Sequence, residues 1–367
     1  MIKKNLFLII VSILFSLILI EIFFYINGRY SHLTKNNLKP SSAIYERSFS
    51  SKQNHKHPDL DYIIENYFDE DGVKNFEKTI TSKKKNIIGI FGDSFTENIA
   101  VDREFEYAYL LNQEIDEYNI VNYGTGGYSA DQVFLRYLKY TDHDIKHVFF
   151  LLMPGDQGFS TKSEFKDSGE YKIHDPDLNY FYLLMGKLNL TYLLIDTYYF
   201  FKSNIKKNFT ETNIDNYNQI LANKIYQKFY NRDLDKCNDK DFSKDICAKN
   251  LLNLLRIFKN EAKKNQAEFH ILLYPNDKHI SYFNKVIEKE RNKFNYYILD
   301  RNLESGSIID GKRINFQNDA HWNEFGNLFF AINLQNIFDK IGIKTNSLNK
   351  SIMIKKIEKF YEKQNDE

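Results

Sequence analysis

The chain opens on an almost unbroken apolar run, crosses a polar and mixed stretch, and then alternates short β-rich runs with amphipathic stretches to its end. The opening run, Leu6 to Ile26, matches the ~20 residues that a helix needs to cross the hydrocarbon core. Lys3 and Lys4 precede it and no small-x-small cleavage site follows it. Residues 1–27 therefore read as an uncleaved signal anchor, with the N-terminus cytoplasmic and everything after Asn27 outside. Glu21 lies within the run near its outer end, where a carboxylate costs less than the roughly 2.5–3.5 kcal/mol of a helix centre. A cleaved signal peptide, the alternative, gives the same extracytoplasmic compartment. Residues 28–85 read as a tether followed by a small lead-in packed on the main domain. Within them Asp69-Glu70-Asp71-Gly72 lacks the ligand spacing of a calcium loop and reads as an ordinary turn.

From Ile87 the pattern becomes strand, helix, strand. Strands are predicted at Ile87–Gly92, Tyr118–Tyr123, His147–Met153, Glu268–Tyr274 and Tyr296–Asp300. Helices are predicted at Glu97–Ile115, Ser129–Tyr140, Asn250–Asn265, His279–Lys293 and Asn323–Ile341. Such an order predicts an α/β domain over 86–345 with a parallel sheet and right-handed crossovers. Its ligands would gather outside the carboxyl ends of the strands. An insertion at about 156–248 carries aromatic pieces predicted helical at Leu178–Leu194, Asp196–Phe201 and Tyr217–Tyr230, and reads as a cap over those strand ends. Residues 346–367 form a charged helix or tail. There is no internal repeat.

Composition narrows this picture. Lys+Arg 50 against Asp+Glu 49 leaves a net charge of +1 over 367 residues, so nothing points to a general nucleic-acid surface. The two cysteines, Cys237 and Cys247, close a short loop and are a plausible disulfide in an oxidising compartment. They offer no zinc-type spacing, and neither a metal site nor a cofactor is expected.

The candidate chemistry begins at Gly92-Asp93-Ser94-Phe95. Ser94 sits where a strand turns into a helix, beside backbone N–H groups that favour a developing anion. The same Ser94 with Glu97 also spells a helix capping box, which needs no chemistry. A nucleophilic serine requires a base and an orienting acceptor. Of nine histidines, His32, His55 and His57 fall in the tether and lead-in. His143 and His147 flank the start of the third strand, His270 is mid-strand, and His174 is in the insertion. His279 opens a helix after a strand and competes for the role of base. His321 is better placed, in the polar loop Asn318-Asp319-Ala320-His321-Trp322-Asn323. Residues i and i+2 of an extended loop face one side, so Asp319 and His321 can arrive together. Oxyanion donors are available at the Ser94 N–H and in the turn Gly124-Thr125-Gly126-Gly127, although a tight βα turn also favours glycine.

Gly92-Asp93-Ser94-Phe95, the turn ending in Gly127 and Asp319-x-His321, in that order, resemble the SGNH (GDSL-type) hydrolases over about 87–154 and 268–341. The resemblance implies a flavodoxin-like three-layer α/β/α sandwich without cofactor. It makes Ser94 the nucleophile, His321 the base, Asp319 its orienter, and the Ser94 and Gly127 amides the oxyanion donors. One block departs from the family. Where members carry Gly-x-Asn-Asp, this chain has Pro154-Gly155-Asp156-Gln157. An ionised Asp156 would repel an oxyanion, so either it is protonated or turned away, or Gln157 substitutes for the missing asparagine amide, or the site leans on backbone donors. Loss of one such donor costs about 10²–10³ in rate.

With the anchor, the resemblance implies a membrane-tethered esterase or O-acyltransferase acting on O-acyl, chiefly O-acetyl, groups of a cell-envelope glycan. Its partners would be the acylated glycan, the membrane and, for a transferase, an acyl-donor membrane protein. Two alternatives stay open. One is a lapsed glycan-binding or envelope-assembly protein, for which Asp156 and the aromatic insertion speak. The other is a lipase, encouraged only by the anchor and the apolar insertion.

Overall fold

Strands buried on both faces read as continuous apolar runs, and three such runs, Asn86–Phe91, Ile145–Leu152 and Glu268–Leu273, form the centre of this protein. The computed structural model describes residues 51–69, 72–74, 86–154, 164–166, 168–172 and 246–366, with residues 12, 16 and 19 besides. The anchor apart from those three residues, the insertion helices, Cys237, Asp156 and Gln157 lie outside the described residues. Among the described residues no helix is long and apolar enough to cross a membrane. The chain divides into two compact units, and Ser48–His174 with Asn231–Glu367 make up the α/β unit.

A hairpin leads in, β1 (Ser51–Lys56) antiparallel to β2 (Ile63–Phe68). The sheet follows, with β3 (Asn86–Phe91), β4 (Tyr118–Asn122), β5 (Ile145–Leu152), β8 (Glu268–Leu273) and β9 (Asn295–Ile298). Two short pairs, β6 (Glu164–Phe165) with β7 (Tyr171–Lys172) and β10 (Ile308–Ile309) with β11 (Lys312–Arg313), stand apart from it. The order β4-β3-β5-β8-β9 is parallel throughout. In chain order that is the flavodoxin-like arrangement, whose crevice opens where the winding reverses, here at the C-terminal ends of β3 and β5.

The helices are α1 (Ser94–Glu97), α2 (Tyr107–Asn112), α3 (Ala130–Lys139), α4 (Ile246–Lys264), α5 (Asp277–Ile287), α6 (Glu324–Lys340) and α7 (Lys350–Asp366). On one face of the sheet Ile88, Ile90, Ile120, Phe149 and Leu272 form one buried cluster with α2 and α6. There Phe149 meets Phe338 at 5.3 Å between ring centroids. On the other face Phe91 meets Tyr137 of α3 at 5.7 Å, and Phe269 meets Phe258 of α4 at 4.6 Å. Helices thus cover both faces, giving three layers.

The stretch after β3 differs from the sequence expectation. The helix predicted over Glu97–Ile115 is broken into α1, a 3₁₀ turn at Arg103–Phe105, and α2. Asn98 ends α1 at φ 50 and ψ 47, the left-handed conformation that asparagine tolerates better than most residues. The C-terminal stretch is a helix whose Ile357 is fully buried in the same cluster as α6.

Candidate active site

The strand β3 delivers Gly92-Asp93-Ser94 to the sheet edge. Asp93 caps α1, its Oδ1 accepting the Phe95 N–H at 2.9 Å. Ser94 is the first residue of that helix rather than its cap, which frees its hydroxyl. Glu97 accepts the Gly126 N–H at 2.7 Å. The capping-box reading of Ser94 and Glu97 is therefore replaced by an aspartate cap and a carboxylate that ties α1 to the glycine turn.

His321 Nε2 lies 2.7 Å from Ser94 Oγ. Its Nδ1 lies 2.5 Å from Asp319 Oδ1, which also accepts the His321 backbone N–H at 3.0 Å. With Nδ1–H donated to the carboxylate, Nε2 is left to accept the serine proton. Asp319 and His321 arrive on a loop pinned at both ends. Asn315 and Trp322 bridge across it, and Asn323 caps α6 by accepting the Gly326 N–H at 3.1 Å. Trp322 is fully buried and donates Nε1–H to the Leu303 carbonyl at 3.0 Å. Phe95 packs between the Trp322 indole and the His321 imidazole, at 5.3 and 4.8 Å between centroids.

Charge sets the protonation states. Burial pulls the His321 pKa down, but the hydrogen bond and charge of Asp319, helped by Asp93 and Glu97, outweigh it and hold the imidazole above its ordinary value. Burial raises Asp319, and the bond and charge of His321 bring it below the usual carboxylate range. Asp93 is pushed up to about 6 by burial, against the Phe95 N–H and His321.

The turn after β4 lies beside Ser94. Gly127 has φ +79, which favours glycine, and a Cβ on Gly126 would stand 2.8 Å from Glu97 Oε2 and 3.6 Å from Ser94 Cβ. The Gly126 amide is committed to Glu97. The Ser94 and Gly127 amides have no hydrogen-bond partner among the described residues.

Several supporting residues carry no motif. Lys74 is buried and donates Nζ–H to the carbonyls of Glu97 at 3.1 Å and Asn98 at 2.6 Å, while pairing with Glu106 at 3.3 Å. Asn122 donates to the Thr96 carbonyl at 2.7 Å and to Glu106 at 2.6 Å. Together they satisfy the carbonyls that end α1. The lead-in reaches the loop as well, since Asp59 accepts the Gln317 N–H at 2.8 and 3.0 Å through its two oxygens. Asn122 is the last residue of β4, beside the glycine turn.

Among the described residues, the other histidines make no hydrogen bond to Ser94. His279 is buried, donates Nε2–H to the Leu152 carbonyl at 2.9 Å, and burial lowers its pKa to about 4. His57 is bonded to Glu324, His143 to the Tyr123 hydroxyl, and His147 faces His270. His32 and His174 lie outside the described residues.

Neither a family model nor a curated protein matches the chain. Among solved structures, the chain is similar to the crystal structure of a member of the lipolytic protein G-D-S-L family from Veillonella parvula DSM 2008. The two are 12% identical with a TM-score of 0.35, over 70% of this chain and 99% of that one.

Proposed function

We propose that this protein is a serine esterase or O-acyltransferase of the SGNH kind, working through an acyl-enzyme on Ser94. The observation that carries the reading is the unbroken relay from Ser94 Oγ through the His321 imidazole to Asp319, at 2.7 and 2.5 Å. Those lengths are the reach that general-base activation of a nucleophile demands.

In the first half-reaction Ser94 Oγ attacks the ester carbonyl as His321 Nε2 takes its proton. The tetrahedral oxyanion faces the Ser94 and Gly127 amides, which act without reorganising. Asp319 holds the imidazole in the Nδ1–H tautomer and stabilises the imidazolium. That imidazolium then protonates the departing alcohol, leaving Ser94 acylated. In the second half, water or an acceptor hydroxyl attacks the acyl carbon with His321 again as base, and Ser94 is released.

The finer reading is a tethered, extracytoplasmic enzyme that removes or transfers O-acetyl groups on a cell-envelope glycan. It is supported by the apolar run over Leu6–Ile26 and the aromatic insertion, both features of the sequence. The test uses the full-length protein in detergent with an activated acetyl ester, with and without an oligosaccharide acceptor. Turnover that vanishes in Ser94→Ala is expected, and acetylated oligosaccharide identifies a transferase. No turnover, or turnover unaffected by Ser94→Ala, sinks the proposal.

A further inference from the structure

At the end of the sheet away from Ser94, three side chains of β5 and β8 converge. His147 is the third residue of β5 and stands in register with Glu268, the first residue of β8. His270, two residues further along β8, lies on the same face as Glu268. His147 Nδ1 is 3.3 Å from His270 Nε2. Glu268 Oε2 is 3.5 Å from His270 Nε2 and 3.8 Å from His147 Nδ1.

Two of these spacings, 3.3 and 3.5 Å, suit a cation better than a hydrogen bond, and the exposed Glu268 carboxylate is free to close the third from 3.8 Å. Hydrogen bonds from N–H donors favour about 2.9–3.0 Å, shorter than each of the three. A zinc ion holds imidazole nitrogen at about 2.0–2.1 Å and carboxylate oxygen at about 2.0–2.2 Å, so tetrahedral angles separate its ligand atoms by about 3.3–3.5 Å. An octahedral ion at similar bond lengths would draw them to about 3.0 Å. His270 is only 1% exposed and its Nδ1 has no hydrogen-bond partner, so a strong interaction for this ring has to form at Nε2. Its plane is fixed by stacking on Phe149 at 4.5 Å, while Tyr118 packs edge-on to His147 at 5.4 Å. Glu268 is exposed and leaves the cluster open to solvent, which gives an ion an entry path and a water as fourth ligand.

We propose that His147 Nδ1, His270 Nε2 and the Glu268 carboxylate form a tetrahedral site for a zinc-type divalent cation. The ion clamps β5 to β8 at the sheet end opposite the nucleophile. It takes no part in acyl transfer, so the proposal stands apart from the reading of Ser94.

Full-length, untagged protein in detergent, stripped with a chelator and dialysed, is titrated with Co²⁺ and then with Zn²⁺. The expected result is one equivalent of Co²⁺ showing the intense visible bands of four-coordinate cobalt, displaced by Zn²⁺ with a rise in Tm. His147→Gln and Glu268→Gln, at partly exposed and exposed positions, should each weaken binding at least tenfold with unchanged circular dichroism. His321→Ala should leave uptake and spectrum intact. The proposal is overturned by no stoichiometric uptake, by a six-coordinate cobalt spectrum, or by binding that survives His147→Gln with Glu268→Gln but is lost in His321→Ala.

Discussion

His57 Nε2 donates to Glu324 Oε1 at 3.2 Å across 267 residues of chain, with both side chains fully shielded from solvent. The direction of that bond follows from the other nitrogen. Nδ1 accepts the Asp59 and Leu60 N–H groups, each at 3.1 Å, so the proton must sit on Nε2. The second Glu324 oxygen accepts the Tyr361 hydroxyl at 2.6 Å. One carboxylate at the start of α6 thus joins the lead-in to the C-terminal helix, directly behind the loop that bears His321.

Removing the carboxylate orphans two buried donors, His57 Nε2–H and the Tyr361 hydroxyl, at a cost of about 1–3 kcal/mol each. Glu324→Ala should therefore lower unfolding free energy by the two costs together in denaturant titrations. Glutamine keeps an acceptor oxygen within the set. Glu324→Gln should therefore be more stable than Glu324→Ala, and a glutamine variant at least as unstable would refute the account.

Asp59 touches the loop through a single backbone amide, that of Gln317. Asp59→Ala should leave stability within about 1 kcal/mol, since the contact is exposed. The expected effect is on kcat, several-fold lower with KM little changed, because the loop carrying His321 loses an anchor. Steady-state kinetics on an activated ester separate the two parameters.

The pH profile of kcat/KM should fall on its acid side as His321 takes up a proton in the free enzyme. That limb lies above the ordinary histidine value of 6.5, because Asp319, Asp93 and Glu97 outweigh the opposing effect of burial. Asp319→Asn removes the largest of the raising influences and the guide to the tautomer. It should move the limb to lower pH and cost about 10⁴ in kcat. An unmoved limb would show that Asp319 does not interact with the base.

His279 makes a prediction of opposite sign for stability. Burial brings its pKa from 6.5 to about 4, so between those values the unfolded chain binds more protons than the folded one. Stability then rises with pH across that window, and the contribution is lost as pH falls through it. The size is about 3 kcal/mol over the full window. His279→Gln should flatten the dependence of Tm on pH between 4 and 6.5, even if it lowers Tm at neutral pH.

The strands were legible because both faces of β3, β5 and β8 are covered, so nearly every position had to be apolar. The loop at 318–323 was legible because base and orienter are two residues apart, a relationship local in sequence. The break after Glu97 was not, since it rests on Asn98 in a left-handed conformation and on Lys74 and Asn122 taking the freed carbonyls. A buried lysine looks like a solvated one until its partners are in place. His57 and Asp59 were hidden in the same way, as polar residues of a hairpin whose partners lie at the far end of the chain.

Asp319 and His321 share one short turn, closed by the bond from the His321 backbone to the Asp319 carboxylate. The orienter therefore travels with the base whenever the loop shifts. The relay has a single mechanical joint, between Ser94 and His321. Opening that joint disarms the serine while the histidine keeps its tautomer, and closing it restores both at once.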